Sequence, residues 1–128
     1  NVRATKCCTI NHIHRSMFKQ AHQTSARYDR EVSEFDATKL TAHFLDEFQA
    51  PYVKESEIKM AAQLVEEVQI KHNNTQMLIL EITNVYMSDL LIEQDGHINI
   101  EKAQSVCISG LDSYHKTQIL ERLPYAKA

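Results

Sequence analysis

The densest run of hydrogen-bonding side chains in the sequence is Gln20-Ala21-His22-Gln23-Thr24-Ser25-Ala26-Arg27-Tyr28, which crowds amide, imidazole and hydroxyl groups together with hardly any apolar anchor. Such groups are costly to bury unpaired. The run therefore either lies in solvent or offers its donors to a polar ligand such as a phosphate, a ribityl chain or the edge of a heterocycle. Composition alone favours solvent, because polar helix faces are usually solvated. Just beyond it, Arg30-Glu31-x-x-Glu34 has the spacing of surface ion pairs.

The remaining constellations are thinner. His12-x-His14 would place two imidazoles on one face of a strand. Transition-metal sites need three or four convergent ligands, and no second cluster has recognisable spacing, so no metal is expected. Ser109 or Ser113 with His115 and Asp112 supplies the residue types of a hydrolytic triad, but all within one short segment and without the glycine-flanked elbow of a hydrolase. Cys7 and Cys8 have no basic neighbour beyond Lys6 to lower a thiol pKa. Together with Cys107 they are odd in number and form no CxxC, so they read as small core hydrophobes rather than as a disulfide framework or zinc knuckle. The two glycines, Gly96 and Gly110, cannot build a GxGxxG fingerprint or a phosphate loop.

The elements that must position these groups follow from periodicity. Residues 1–5 read as a fragment of helix and Cys7 to Ile13 as a strand. Arg15 to Ala26 contains no Gly or Pro, and Phe18, Ala21, His22 and Ser25 recur at helical spacing, which predicts a helix of about three turns. Residues 29–59 read as loop with helical turns. Met60 to Lys71 alternates as a half-exposed strand, although Glu66 falls on the apolar parity. His72-Asn73-Asn74-Thr75 supplies turn chemistry, and Met77 to Tyr86 a second strand with Leu78, Leu80 and Ile82 facing one way and Ile79 and Val85 the other. Asp95-Gly96 reverses the chain, Ser105 to Ile108 is a last short strand, and Ser113 to Leu123 reads as a helix stopped before Pro124. Strands paired through hairpins predict an antiparallel barrel with helices packed outside.

A chain of 128 residues supports one domain, 1–128, with one core. The net charge of -3 provides no basic field for a phosphate backbone, so nucleic acid is not an expected partner. No apolar run approaches the ~18 residues of a membrane span and no signal-peptide h-region is visible, which predicts a soluble, cytoplasmic protein with no membrane partner.

Thr9-Ile10-Asn11-His12-Ile13, the Gln20 to Tyr28 run, Arg30-Glu31-Val32-Ser33-Glu34-Phe35, Ala50-Pro51-Tyr52-Val53-Lys54-Glu55-Ser56, the Asp95-Gly96 turn, Ile108 to His115 and the closing Leu123-Pro124-Tyr125-Ala126-Lys127 occur in the order used by the flavin reductase-like FMN-binding split-barrel family, which the sequence resembles over essentially its whole length. The resemblance implies a mainly β antiparallel split barrel that forms a homodimer, holds FMN near the subunit interface and passes hydride from NAD(P)H to flavin. It implies polar flavin contacts from Asn11, Gln23, Thr24 and Ser25 and places Tyr114 near the ring, with no catalytic side chain required. The sequence departs from the family pattern at Cys8, Asp29 and Ala42, and it lacks the part that normally precedes the Thr9-Ile10-Asn11 strand, including the first barrel strands and much of the flavin-binding loop. An N-terminally incomplete barrel is therefore expected, with exposed strand edges. The competing reading is a non-catalytic split-barrel module for dimerisation or binding that has lost or weakened its FMN site. A third reading is a flavin carrier for a partner oxygenase.

Overall fold

The computed structural model describes residues 1–127. Along the chain run α1 (Val2–Thr5), β1 (Cys7–Asn11), α2 (Phe18–Gln23), α3 (Glu34–Thr38), β2 (Ala42–His43), β3 (Tyr52–Val53), β4 (Lys59–Ile70), β5 (Thr75–Tyr86), β6 (Val106–Ser109) and β7 (Ser113–Lys116), with a 3-10 turn at Asp89–Leu91. The architecture is mainly β with short helices, as the periodicity predicts.

β4 and β5 form a long hairpin, and β1 adds to the other edge of β4, giving an antiparallel sheet of order β1-β4-β5. Asn74 takes the left-handed conformation in the connecting turn (φ 55), and Asn73 Oδ1 accepts hydrogen bonds from the Thr75 amide and hydroxyl. These are the roles that make Asn a turn residue. Two irregularities set the faces of the hairpin. Val65 is an extra residue on β4 between the pairs Leu64–Leu80 and Glu66–Ile79, so the side-chain alternation changes phase and Glu66, together with Val68 and Ile70, passes to the face opposite that of Ala62 and Leu64. Thr83 is the extra residue on β5 between Ala61–Asn84 and Ala62–Ile82. As a result Val85, opposite Met60, shares a face with Ile82, opposite Ala62, rather than lying on the face of Ile79 as simple alternation predicts.

Two ribbons complete the β structure: β2–β3, pairing His43 with Tyr52, and β6–β7, pairing Cys107 with His115. The chain after β1 docks the second ribbon through the His14–Ser105 bridge and the hydrogen bonds Val106 N to Ile13 O (3.0 Å) and Arg15 N to Gln104 O (3.1 Å). Ile58, Leu91 and Ala103 form a small core against which Met60 and Met87 pack. Tyr52 is fully buried, with Tyr86 edge-on at 5.4 Å and Phe48 at 6.0 Å between ring centroids. Burial of such a side chain stabilises by about 1.5–3 kcal/mol.

Several expectations are corrected. Ser113 to Leu123 is not a helix: Gly110, at φ 63, turns the chain so that residues 113–116 pair with β6, and 117–127 have no regular structure. The helix predicted over residues 15–26 is limited to six residues, because the Thr24 and Ser25 hydroxyls donate to Ala21 O and His22 O at 2.7 Å each and close its end. The stretch 29–59 holds the two short strands of a ribbon as well as a helix. Cys107 is exposed and Cys7 and Cys8 are half-buried, so the cysteines are not core residues. Arg30 makes no ion pair with Glu34 among the described residues; the surface ion pairs instead join Arg3 and Lys6 to Glu67, and Arg122 to Glu93 and Asp95.

Candidate functional site

Strand alternation places Thr9 and Asn11 on one face of β1, and that face looks toward the β3 ribbon and the two short helices. The Asn11 carbonyl Oδ1 accepts the Val53 N–H at 3.0 Å, its amide donates to Thr9 Oγ1 at 3.0 Å, and Thr9 Oγ1 donates to Pro51 O at 2.7 Å. These bonds tie β1 to β3 across more than forty residues of chain, a separation of |i−j| = 42. Helix α3 is closed by Lys39 in the left-handed conformation and by the Thr38 hydroxyl donating to Glu34 O at 2.7 Å.

Between β1, β3, α2 and α3 lies a cleft of about 370 Å3, lined by Thr9, Asn11, Ile13, Met17, Ala21, Thr24, Glu34, Phe35, Thr38, Leu40 and Val53. Its size is at the lower end of small-molecule sites, roughly 300–1,000 Å3. Apolar walls from Ile13, Met17, Phe35 and Val53 face a polar rim of Thr9, Asn11 and Thr24, a combination that suits a heterocycle with a hydroxylated chain. No Lys or Arg lines it, and Glu34 does. The cleft therefore offers apolar walls with hydroxyl and amide groups, and no cation.

Of the sequence-predicted site residues, the structure brings Asn11 and Thr24 together in this cleft. Gln23 and Ser25 do not line it: Gln23 Nε2 donates to the Tyr28 hydroxyl at 3.1 Å, and Ser25 caps its own helix. Tyr114 packs on another side of α2, where its ring lies 5.3 Å from Phe18 and 5.7 Å from His22, and its hydroxyl is 3.2 Å from His22 Nδ1. Helix α2 thus carries cleft residues at Ala21 and at its Thr24 cap, and Tyr114 contacts at Phe18 and His22. Thr9, Glu34 and Thr38 also line the cleft, although Thr9 and Glu34 stand in the ordered blocks without an expected ligand contact and Thr38 stands in none. Their spacing holds the signal: Thr9 lies two residues from Asn11 on a strand, and Thr38 four residues from Glu34 on a helix.

The other chemical candidates resolve into structural roles. Nε2 of His14 donates to Glu55 O at 2.8 Å while Nδ1 faces Ser16 Oγ at 2.8 Å and accepts the Ser16 N–H, so both ring nitrogens are occupied. Among the described residues no group of three His, Cys, Asp or Glu side chains could hold a metal. Ser109 Oγ and His115 Nε2 are 2.7 Å apart, but Asp112 receives its hydrogen bond from Ser113, so the triad order is not formed. Burial, followed by the neighbouring Cys7, pushes the Cys8 thiol up, the opposite of what a nucleophile needs. Near the β2–β3 ribbon, burial would raise Glu55, but hydrogen bonding from Thr41, whose backbone amide lies 3.1 Å from both carboxylate oxygens, holds it below the ordinary value.

A family model, the flavin reductase like domain, matches residues 1–101. The chain belongs to this family. Among solved structures, a split-barrel-domain protein from Shewanella frigidimarina, assigned as a flavin reductase, is 48% identical and superposes with a TM-score of 0.95 over 98% of this chain and 64% of that one. Flavoredoxin of Desulfovibrio vulgaris (Miyazaki F) is 20% identical, with a TM-score of 0.82 over 97% of this chain and 66% of that chain. Nitrilotriacetate monooxygenase component B from Bacillus cereus is 21% identical, with a TM-score of 0.82 over 96% of this chain and 62% of that chain. The latter two establish the fold alone. No curated protein matches the chain. The chain thus spans about two-thirds of the length of these relatives, and the fold of this flavin reductase-like domain is the split barrel that the family resemblance implies. The family match ends before β6, so the likeness of the β6–β7 ribbon, and with it Tyr114, rests on the Shewanella structure. No helix of the described residues is long and apolar enough to cross a membrane.

Proposed function

We propose that this flavin reductase-like domain binds FMN and takes part in hydride transfer from NAD(P)H to flavin, as one half of a cytoplasmic homodimer. The observation that carries the reading is the cleft in which Asn11 and Thr24, far apart in sequence, form a polar rim opposite the apolar wall of Ile13, Met17 and Phe35. Asn11 and Thr24 would hold the polar side of the flavin, with Gln23 and Ser25 at the margin of the same helix end, and Tyr114, on another side of α2, would approach the ring from outside the cleft. A flavin held here would supply the hydride-accepting chemistry, so Asn11, Thr24 and the apolar wall would orient it and exclude water rather than supply an acid or base. The names of the structural relatives, a flavin reductase and a flavoredoxin among them, support a flavin as the ligand. Ile82 (51% exposed) and Val85 (49%) leave an apolar strip on β5 that supports pairing of two subunits.

The test is the absorbance spectrum after incubation with FMN and gel filtration, followed by anaerobic addition of NADPH or NADH. Retained flavin bands that bleach with either nucleotide are expected; protein that elutes colourless refutes the reading. A second reading, a binding module without catalysis, is favoured by one observation: the Asn11 carbonyl and the Thr24 hydroxyl proton are already used inside the chain. It predicts a stable dimer whose spectrum does not change with FMN.

A further inference from the structure

A second cleft, of about 340 Å3, lies between the segment after β1 and the β6–β7 ribbon and shares no lining residue with the flavin cleft. Arg15, Gln104, Ser105, Lys116, Thr117 and Gln118 line it, with Glu101 and Val106. Three features distinguish it from an ordinary surface groove. Ser105 is 8% exposed, yet its hydroxyl has no hydrogen-bond partner among the described residues, although a buried hydroxyl left unpaired is costly. Arg15 is held in place, its Nε donating to Gln104 Oε1 at 2.7 Å and its backbone N–H to Gln104 O at 3.1 Å, which leaves the two terminal guanidinium nitrogens as donors. Arg15 and Lys116 form no ion pair among the described residues, and Glu101, the one carboxylate on the lining, accepts the Ile119 N–H.

We infer that this cleft binds a phosphate group. Two cations outnumber one carboxylate, and the donors come from separate elements: a guanidinium beside β1, an ammonium on β7, a buried hydroxyl before β6 and the Gln118 amide. Donors spread in this way match a tetrahedral oxyanion, which accepts from several directions, better than a planar carboxylate, which is served by two parallel donors. Rotation of the Ser105 side chain at the cleft wall would give its unpaired hydroxyl the partner it lacks, and the cleft between β1 and α3, which is lined by no cation, does not compete for the same ligand chemistry. The phosphate can be free or carried by a nucleotide.

The experiment is a titration of the isotope-labelled chain with inorganic phosphate, and separately with NADP+ and with NAD+, followed through backbone amide resonances. Saturable shifts at Ser105, Val106 and Thr117 in the millimolar range are expected, and Lys116→Gln should weaken phosphate about tenfold, as loss of one charge-assisted hydrogen bond does. Arg15→Gln should act alike. Should it unfold the segment that Arg15 anchors, the exposed Lys116→Gln variant still decides. Shifts with NADP+ but not NAD+ identify a nucleotide phosphate as the ligand; shifts with inorganic phosphate alone identify the free ion. Absence of saturable shifts with inorganic phosphate and with NADP+, or an affinity that Lys116→Gln leaves unchanged, overturns the inference.

Discussion

Asn11 on β1 and Val53 on β3 are joined by a hydrogen bond of 3.0 Å from the Val53 N–H to the Asn11 side-chain carbonyl, and both residues line the cleft proposed for the flavin. Asn11→Ala leaves the Val53 amide without its acceptor and removes the amide donor to Thr9 Oγ1, which still donates to Pro51 O, so a loss of about 1–3 kcal/mol is expected. Asn11→Asp keeps an acceptor for Val53 but loses the donor to Thr9 and should cost less. Urea denaturation of the three proteins checks the order; equal stability of Asn11→Ala and wild type would show that the clamp is idle.

Thr24 and Ser25 cap the same helix with equal 2.7 Å hydrogen bonds, but only Thr24 lines the cleft. Thr24→Ala and Ser25→Ala should therefore each lower stability by a similar ~0.5–1.5 kcal/mol. FMN affinity, measured by flavin fluorescence quenching, should fall only for Thr24→Ala. Equal losses of affinity would move the site toward the outer end of α2.

Tyr114→Phe keeps the ring against Phe18 and removes only the hydroxyl that meets His22. Stability should change by less than about 1 kcal/mol, since the lost hydrogen bond is exposed. Tyr114→Ala removes the aromatic contacts as well and should lower both stability and FMN affinity. Thermal melts paired with FMN titration separate the two effects; an FMN affinity that Tyr114→Ala leaves intact would remove this residue from the flavin site.

The Tyr86 hydroxyl donates to Asp46 at 2.6 Å, which, ahead of burial, pushes its pKa well above the ordinary tyrosine value of 10.0. A pKa raised by folding stabilises the protein fully below pH 10, and that contribution is lost as pH rises through the folded value. Tyr86→Phe should therefore remove part of the alkaline loss of stability while leaving the acid side alone. Coincident curves above pH 10 for the two proteins would refute this.

On the acid side the signs reverse. Hydrogen bonding from Lys6 lowers Glu67 below 4.5, and hydrogen bonding from Arg122 lowers Asp95 below 3.8. A carboxylate whose pKa is depressed by folding contributes stability above its ordinary value and loses it as pH falls through the folded one. Glu67→Gln should flatten the decline of melting temperature below pH 4.5, measured at low salt because these pairs are exposed.

The β4–β5 hairpin, its Asn turn, β1 and the reversal at Asp95-Gly96 were legible because alternation and turn chemistry are local signals. The bulges at Val65 and Thr83 were not, since a bulge is defined by a residue on the opposite strand. Nor was β7: Ser113 to Leu123 contains nothing that forbids a helix, and only pairing with β6 across Gly110 makes residues 113–116 extended. Asn11 and Thr24 stood out as polar residues in ordered blocks, whereas Glu34 read as a surface ion-pair residue and Thr38 lay in no block.

The amino-acid order alone determined the family and the mainly β fold, because ordered motif blocks and the two-residue period are properties of the chain itself. The folded molecule decided which of the polar residues meet. Asn11 and Thr24 share a cleft, Tyr114 reaches the other side of α2, and Ser105 lies buried beside Arg15 and Lys116, because hydrogen bonds and packing between segments dozens of residues apart set those distances.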